Sequence, residues 1–285
     1  MFESFFEKPF GLSVSEHAVS VVQLPETQGE KALPNPKAFG PTLSALLQEL
    51  GIHSKKCVLS LPLGESFEHV FLAPQNPLSI ADQIASVTPL PPEDIAYDTA
   101  SYPHPVFPLL FTASASRQLL KVYLEGAKQC GITVQAIEPG SLSLLRIIPF
   151  TLKPDESALL IHRTSRTFSW FLLWDGFIFD SNRIPAGPHA ANTLLEDLKK
   201  SKTFFVKTTS QTLTSGWMAG PEGSVDNLIS LLADALSIKL QLISGYRLPL
   251  KNQEPGAAEA AGAAFRAAGM DFLPFKIDLL KNTKN

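Results

Sequence analysis

Cysteine is scarce: Cys57 and Cys130 are the only two in 285 residues. Two cysteines without an export signal fit a reducing compartment and argue against a disulfide-stapled scaffold. The opening MFESFFEKPF carries acids and lacks an apolar core segment, so it does not read as an export signal. No stretch approaches the roughly 18 apolar residues of a membrane span, and the densest run, Phe168–Trp174, suits a buried strand. A basic excess is also missing. Lys and Arg total 24 against 27 Asp and Glu, a formal net charge of -3, which argues against a general nucleic-acid binder. The pairs Lys55-Lys56 and Lys199-Lys200 read as solvated faces. The six histidines show no His-x-x-x-His or paired Cys/His spacing, so no zinc site is expected. Neither a Gly-x-Ser-x-Gly elbow nor a Walker lysine motif occurs, and Ser13, Ser15 and Ser215 have no identifiable base partner.

What remains is a globular composition, 45% hydrophobic and 18% charged, in a chain long enough for two domains. The stretch Phe10–Leu24, FGLSVSEHAVSVVQL, reads as two short strands around a tight turn. A second stretch of the same design starts near Ala158, ALLIHRTSRTFSWFLLWDGFIF, with its polar turn at His162–Thr167. Two such hairpins, one opening each half, predict an internal duplication with a cleft between the halves.

The first hairpin is followed by a Pro/Gly-rich segment, Pro25–Pro41, that reads as a loop. A helix is expected over Thr42–Leu50, then strands at Lys56–Pro62 and Phe67–Leu72, and a helix at Ser79–Val87 with Ser79 as N-cap. Strands at Ile95–Tyr102 and Leu109–Ala113, an amphipathic helix over Ser116–Cys130 and a strand at Ile132–Ile137 complete a predicted α+β subdomain over 67–137. Ser141–Ile148 reads as a helix and Pro149–Glu156 as the linker between two domains. The second half predicts a three-stranded meander over Ala158–Ile184, a helix at Ala190–Lys200 and a strand at Thr203–Thr208. It continues with a small-residue loop at Ser215–Gly223, a helix at Val225–Leu236 and a strand at Lys239–Ile243. An Ala-rich helix, Pro255–Ala268, and an extended Met270–Pro274 end the pattern.

Several stretches in this order resemble the actin-like ATPase superfamily, in particular PilM-like proteins of type IV pilus assembly and the cytoplasmic part of GspL from type II secretion. FGLSVSEHAVSVVQL is similar to the family's phosphate-1 hairpin and VLSLPLGESFEHVFLAP (Val58–Pro74) to the strand pair after it. PLPPEDIAYDTASY (Pro89–Tyr102) resembles the entry to the inserted subdomain, and Leu109–Arg146, containing EPGSLSLLR, resembles a strand–helix–strand and its following helix. LTSGWMAGPEGSVDNLISLLADAL (Leu213–Leu236) is similar to the adenosine loop and its helix, and AGAAFRAAGMDFLP (Ala261–Pro274) to the closing helix. The resemblance implies an α/β, actin-like ATPase fold of duplicated RNase H-like lobes. It places the first lobe at 1–150 with its insertion, the second at 157–274, and a tail at 275–285.

The same resemblance shows where this chain departs from ATP-binding members. Their phosphate-1 turn supplies an Asp that organises the metal and a Gly that admits the phosphates; here those positions are Ser13 and Ser15. Their phosphate-2 turn again carries Asp and Gly; here His162 and Thr164 stand there, with Arg163 between and Arg166 after. Magnesium prefers one or two carboxylates with phosphates, so both metal-organising groups are missing. In the adenosine loop Ser215 and Gly216 remain, but Trp217 fills the space an adenine needs. Glu16 as a stand-in metal ligand, and Arg163 and Arg166 as metal-free phosphate holders, are the rescues weighed. Glu138 matches no catalytic carboxylate. A sugar-kinase-like reading would need a catalytic Asp in the cleft; Asp175 and Asp180 sit near the second hairpin, but an Asp175-Gly176 turn already explains the first.

The expectation is a non-catalytic scaffold without cofactor or metal, at the cytoplasmic face of an inner membrane, with ATP and Mg²⁺ binding as the alternative. The resemblance implies a partner, the cytoplasmic segment of an inner-membrane pilus or secretion protein, and leaves open a contact with the assembly ATPase. Membrane attachment would come through that partner or through a span beyond Asn285.

Overall fold

The computed structural model describes residues 8–14, 18–25, 27–61, 65–72, 78–102, 108–147, 156–163, 167–175, 177–219, 226–243, 255–270, 273 and 276–282. The first hairpin is present as β1 (Phe10–Val14) and β2 (Ala18–Gln23), paired antiparallel from Gly11↔Val22 to Val14↔Val19. All five β1 residues are buried, because the strand is covered on both faces. A third strand, β3 (Thr27–Ala32), continues the meander. It corrects the loop expected over Pro25–Pro41. TQGEKA lacks apolar alternation because β3 is an edge strand whose side chains stay partly in water.

The following helix, α1 (Phe39–Glu49), starts three residues earlier than predicted. Pro41 sits in its first turn, where a missing N–H costs no intrahelical bond. Strand β4 (Lys56–Leu61) then pairs parallel with β1.

The chain leaves this sheet for an insertion built from β5 (Ser66–Leu72), α2 (Leu78–Val87), β6 (Ile95–Tyr102) and β7 (Leu109–Ser116). These strands form a separate antiparallel sheet ordered β5-β7-β6. Helix α2 begins at Leu78, so Ser79 lies inside it and is not its N-cap. Ser116 caps the next helix, α3 (Arg117–Gln129), by accepting from the Leu119 N–H at 3.2 Å. Gly131, at φ 71°, supplies the left-handed turn beyond α3. Helix α3 packs on α1, with Tyr123 edge-on to Phe39 at 5.3 Å between ring centroids. Strand β8 (Thr133–Pro139) pairs parallel with β4, not with the insertion. The predicted subdomain over 67–137 is therefore corrected: the insertion's own sheet ends at Ser116, and α3 and β8 belong to the first lobe. Helix α4 (Gly140–Ile147) follows, buried along its whole length.

The second lobe repeats the design. Strands β9 (Ser157–Arg163), β10 (Thr167–Trp174) and β11 (Phe177–Pro185) form a meander, and β12 (Ser215–Ala219) and β13 (Lys239–Leu242) add in parallel. The sheet order β11-β10-β9-β12-β13 is the order β3-β2-β1-β4-β8 over again. Helix α5 (Ala190–Thr209) runs unbroken through Thr203–Thr208, which corrects the strand expected there. The run TFFVKTT favours strand locally. Its position is decided instead by Leu194, Leu198, Ser201 and Phe205, which bury one helical stripe, with Phe205 edge-on to Phe179 at 5.1 Å. Helix α6 (Asp226–Leu236) joins β12 to β13.

The last helix, α7 (Pro255–Ala267), crosses back and packs on β1, β2, β4 and α4. This corrects the assignment of 157–274 to the second lobe, since α7 covers the first sheet. Its Ala and Gly residues explain the close fit. A Cβ on Gly262 would lie 1.8 Å from the Ser143 carbonyl oxygen of α4, and one on Gly11 would lie 1.9 Å from the Ala260 carbonyl oxygen of α7. The expected tail is corrected too: it docks on the first half. Ile277 and Leu279 are buried, and the Asp278 carboxylate accepts from the Ile137 N–H at 3.0 Å. The Asp278 N–H donates to Asp98 of β6 at 2.8 Å. Most of the expected extended stretch Met270–Pro274 and of the linker Pro149–Glu156 lies outside the described residues.

Candidate functional site

Matching registers place equivalent side chains on the two sheets. In the first lobe Ser13 is paired with Ser20, and Ser20 with Glu30. In the second, His162 is paired with Ser169, and Ser169 with Arg183. Directly paired residues point to one face of a sheet, so each lobe presents a polar row that starts at its hairpin. Ser13 and His162 hold equivalent places, just before the two turns. Of the turn residues singled out from sequence, Ser15, Glu16, Thr164 and Arg166 lie outside the described residues. Arg163 lies over the Phe168 ring of its own hairpin, 5.4 Å from the centroid.

Ser13 is fully buried, and its hydroxyl donates to Glu259 of α7 at 2.9 Å. Glu259 is the single acid of PGAAEAAGAAFRA, and it lies against Gly140, where a Cβ would come within 3.0 Å of its carboxyl. Burial pushes the Glu259 carboxyl up to about 8, against the opposing pull of the Ser13 hydroxyl and the Arg183 charge. Glu68 of β5 is likewise raised by burial, opposed by Arg183 and by the Ser66 hydroxyl, which donates to it at 2.9 Å. Arg183, lowered by the same desolvation, faces both carboxyls. One guanidinium of the second lobe thus acts electrostatically on carboxyls from the insertion and from α7. His162 is buried and held neutral, its imidazole lowered to about 4 by desolvation.

A raised carboxyl makes stability depend on pH with a definite sign. Between the ordinary 4.5 of an unfolded Glu and about 8, the folded protein keeps the Glu259 proton that the unfolded chain has released. Stability contributed by this group therefore falls as pH rises through that window and is level above it. Glu259→Gln is expected to remove that fall. Urea denaturation at pH 5, 6, 7 and 8 checks it: the wild-type minus variant difference should shrink with rising pH, and a constant difference would refute the assignment.

A second buried cluster lies at the other end of the first sheet's row. Glu138 of β8 is paired with Ser60, itself paired with Ser13. It accepts from Ser143 and Arg146 of α4 and from Arg266 of α7, and both Glu138 and Arg146 are completely buried. Glu138 is thus the pin between β8, α4 and α7, a structural role that its sequence context did not reveal.

Ser215, Gly216 and Trp217 are placed differently from expectation. They lie within β12, paired with Ala158, Leu159 and Leu160 of β9, not in a loop. A Cβ on Gly216 would meet the Leu159 carbonyl oxygen at 2.7 Å, so that glycine serves strand packing, and Trp217 packs against the core. The segment after β12, residues 220–225, lies outside the described residues. Glu259, Glu68 and Arg183 were missed from sequence. Only Glu259 left a trace, as a lone acid on an otherwise small-residue helix face.

The donor set of the described cleft was weighed against a magnesium nucleotide. At the two hairpin positions it offers a hydroxyl already donated to Glu259 and a buried neutral imidazole. Its carboxyls face a guanidinium, and among the described residues no group of three His, Cys, Asp or Glu is placed to hold a metal ion. These residues do not fit the hard-oxygen set that Mg²⁺ prefers. Among the described residues no helix is long and apolar enough to cross a membrane.

No protein-family model and no curated protein matches the sequence. Solved structures do. A "PilM-PilN type IV pilus biogenesis complex" chain matches with TM-score 0.71 and 15% identity, over 92% of this chain and 98% of that one. The cytoplasmic domain of EpsL, an inner-membrane component of the type II secretion system of Vibrio cholerae, matches with TM-score 0.54 and 13% identity, over 95% and 97%. A Bacteroides thetaiotaomicron protein with an actin-like ATPase fold matches with TM-score 0.52 and 9% identity, over 85% and 93%. This chain therefore has the actin-like ATPase fold, two duplicated lobes with an insertion in the first. Within that fold it is similar in structure to proteins of pilus biogenesis and type II secretion.

Proposed function

We propose that the chain is a non-catalytic component of a type IV pilus or type II secretion assembly platform, which docks the cytoplasmic segment of an inner-membrane partner. The observation that carries the first half is the Ser13–Glu259 hydrogen bond. It commits the hydroxyl at the first hairpin to the chain's own α7, where the resemblance expects a metal-organising carboxylate. Arg183, acting on both Glu68 and Glu259, supports the same reading, since a fixed guanidinium supplies the positive charge that a metal would otherwise bring. The structural likeness to a chain from a PilM–PilN complex supports the second half. The resemblance implies docking between the first lobe and the inserted sheet, where an extended peptide would be held by backbone bonds or apolar anchors. Work at the cytoplasmic face of the inner membrane follows from such a partner.

Titration with ATP and Mg²⁺ tests the cleft. A ligand at one hundred times its dissociation constant stabilises by about 2.7 kcal/mol, enough to move the melting temperature by several degrees. No movement is expected. A clear rise would favour a divergent nucleotide binder or slow ATPase. Fluorescence anisotropy with labelled N-terminal peptides of candidate membrane partners tests docking, and failure of every pilus and secretion candidate would remove it.

A further inference from the structure

A cavity of about 380 Å³ opens between the inserted sheet and the second lobe. Three residues that line it each carry a buried polar atom with no hydrogen-bond partner among the described residues: Nε2 of His69 on β5, Oγ of Ser169 on β10, and Nε of Arg183 on β11. Ser169 is only 2% exposed. Buried polar groups in folded proteins are nearly always paired, and leaving one unpaired costs free energy. Three such atoms from two lobes, meeting at one cavity, mark a place where something else completes the set.

The chemistry of the three atoms defines the class of ligand. An arginine Nε can only donate, a serine hydroxyl can donate, and a neutral imidazole can donate through one nitrogen. The missing partner is an acceptor. Phe67, Phe171, Val87 and Pro89 give the wall its apolar part, and Ser66, Glu68, Ser181 and Asn182 line the remainder. A cavity with a few convergent polar groups on an apolar lining is the usual form of a small-molecule site. We infer that this cavity binds a small organic oxyanion, a phosphate monoester or a carboxylate with a flat apolar body, held by Arg183, Ser169 and His69 without a metal ion.

Charge is consistent with this. The ionisable groups facing Arg183 are Glu68 on β5 and Glu259 on α7, and burial favours the neutral form of each. Less negative charge therefore opposes the guanidinium at neutral pH than two ionised carboxylates would bring. The ligand would bridge the insertion and the second lobe, so its binding would set how firmly the two are joined. The inference rests on the metal-free reading of the cleft, since a magnesium nucleotide would claim the same space.

Phenyl phosphate in EDTA is the probe, read by calorimetry and by melting temperature, with inorganic phosphate for comparison. Phenyl phosphate is expected to bind and to raise the melting temperature, and inorganic phosphate to bind at least about tenfold more weakly for want of the apolar contacts. Ser169→Ala is expected to leave the free protein as stable or more stable, because it removes a buried unpaired hydroxyl. The same variant should weaken phenyl phosphate by about tenfold or more. Arg183→Met should abolish binding. No binding to the wild type, equal affinity for inorganic phosphate, or unchanged affinity in Ser169→Ala would each overturn the site. Binding that appears only when Mg²⁺ and ATP are supplied would overturn the metal-free reading of the cleft as well, whereas loss of phenyl phosphate binding alone leaves that reading standing.

Discussion

Glu138→Ala is expected to lower stability by about 3–5 kcal/mol, the range for removing one partner of a buried ion pair. The loss comes from what the carboxylate leaves behind. Arg146 is fully buried on α4, and with Glu138 gone its charge remains in the interior and loses this ion-pair carboxylate. Ser143 loses an acceptor in the same step, and so does Arg266, which retains the Ile277 carbonyl at 2.6 Å. For a chain of this size about 1 kcal/mol moves the melting temperature by 2–4 °C, so a fall of about 10 °C is expected in a thermal scan. A double replacement, Glu138→Met with Arg146→Met, should recover a large part of it, because well-packed apolar pairs often match a buried ion pair. Equal losses in the single and double variants would show that packing volume, not charge, is what Glu138 provides.

Gly262→Ala is the second large effect. The added methyl carbon would sit 1.8 Å from the Ser143 carbonyl oxygen and 2.4 Å from its carbonyl carbon. Both are backbone atoms, so no rotamer change relieves the clash, and α7 must shift against α4. Overpacking usually costs about 1–3 kcal/mol, and this position belongs at the top of that range, about 3 kcal/mol. Gly187→Ala is the control, since a Cβ there meets nothing within 4 Å. Urea denaturation of the two variants should separate them clearly, and a Gly262→Ala midpoint equal to wild type would mean that α4 and α7 do not pack as described. Ser143 joins this contact to the Glu138 cluster, so the two losses should not add.

The hairpins, the duplication and helix α3 were legible because each has a local cause: alternating apolar residues, a polar turn, and an amphipathic run. The errors have local causes too. Strand β3 is polar because it is an edge, and β12 looks like a loop because SGWMA opens on two small residues where neighbouring strands crowd it. The second half of α5 was misread because three phenylalanine and valine side chains favour strand until Leu194 and Leu198 set the helical stripe. At the site, Ser13 and His162 were found as equivalent positions through the resemblance of the two hairpins to the family's two phosphate turns. Their surroundings were not, since Glu259 lies 246 residues from Ser13 and no motif links them. Arg183 and Glu68 are likewise brought together only by two sheets facing each other.

Residues 276–282 lie on the first half of the molecule, gripped by Asp98, Ile137 and Arg266. Mechanical load applied to that end would enter through β6, β8 and α7 and pass into the inserted sheet and the first lobe. The second lobe stays off that path. A tether at this end would therefore act as a handle on one jaw.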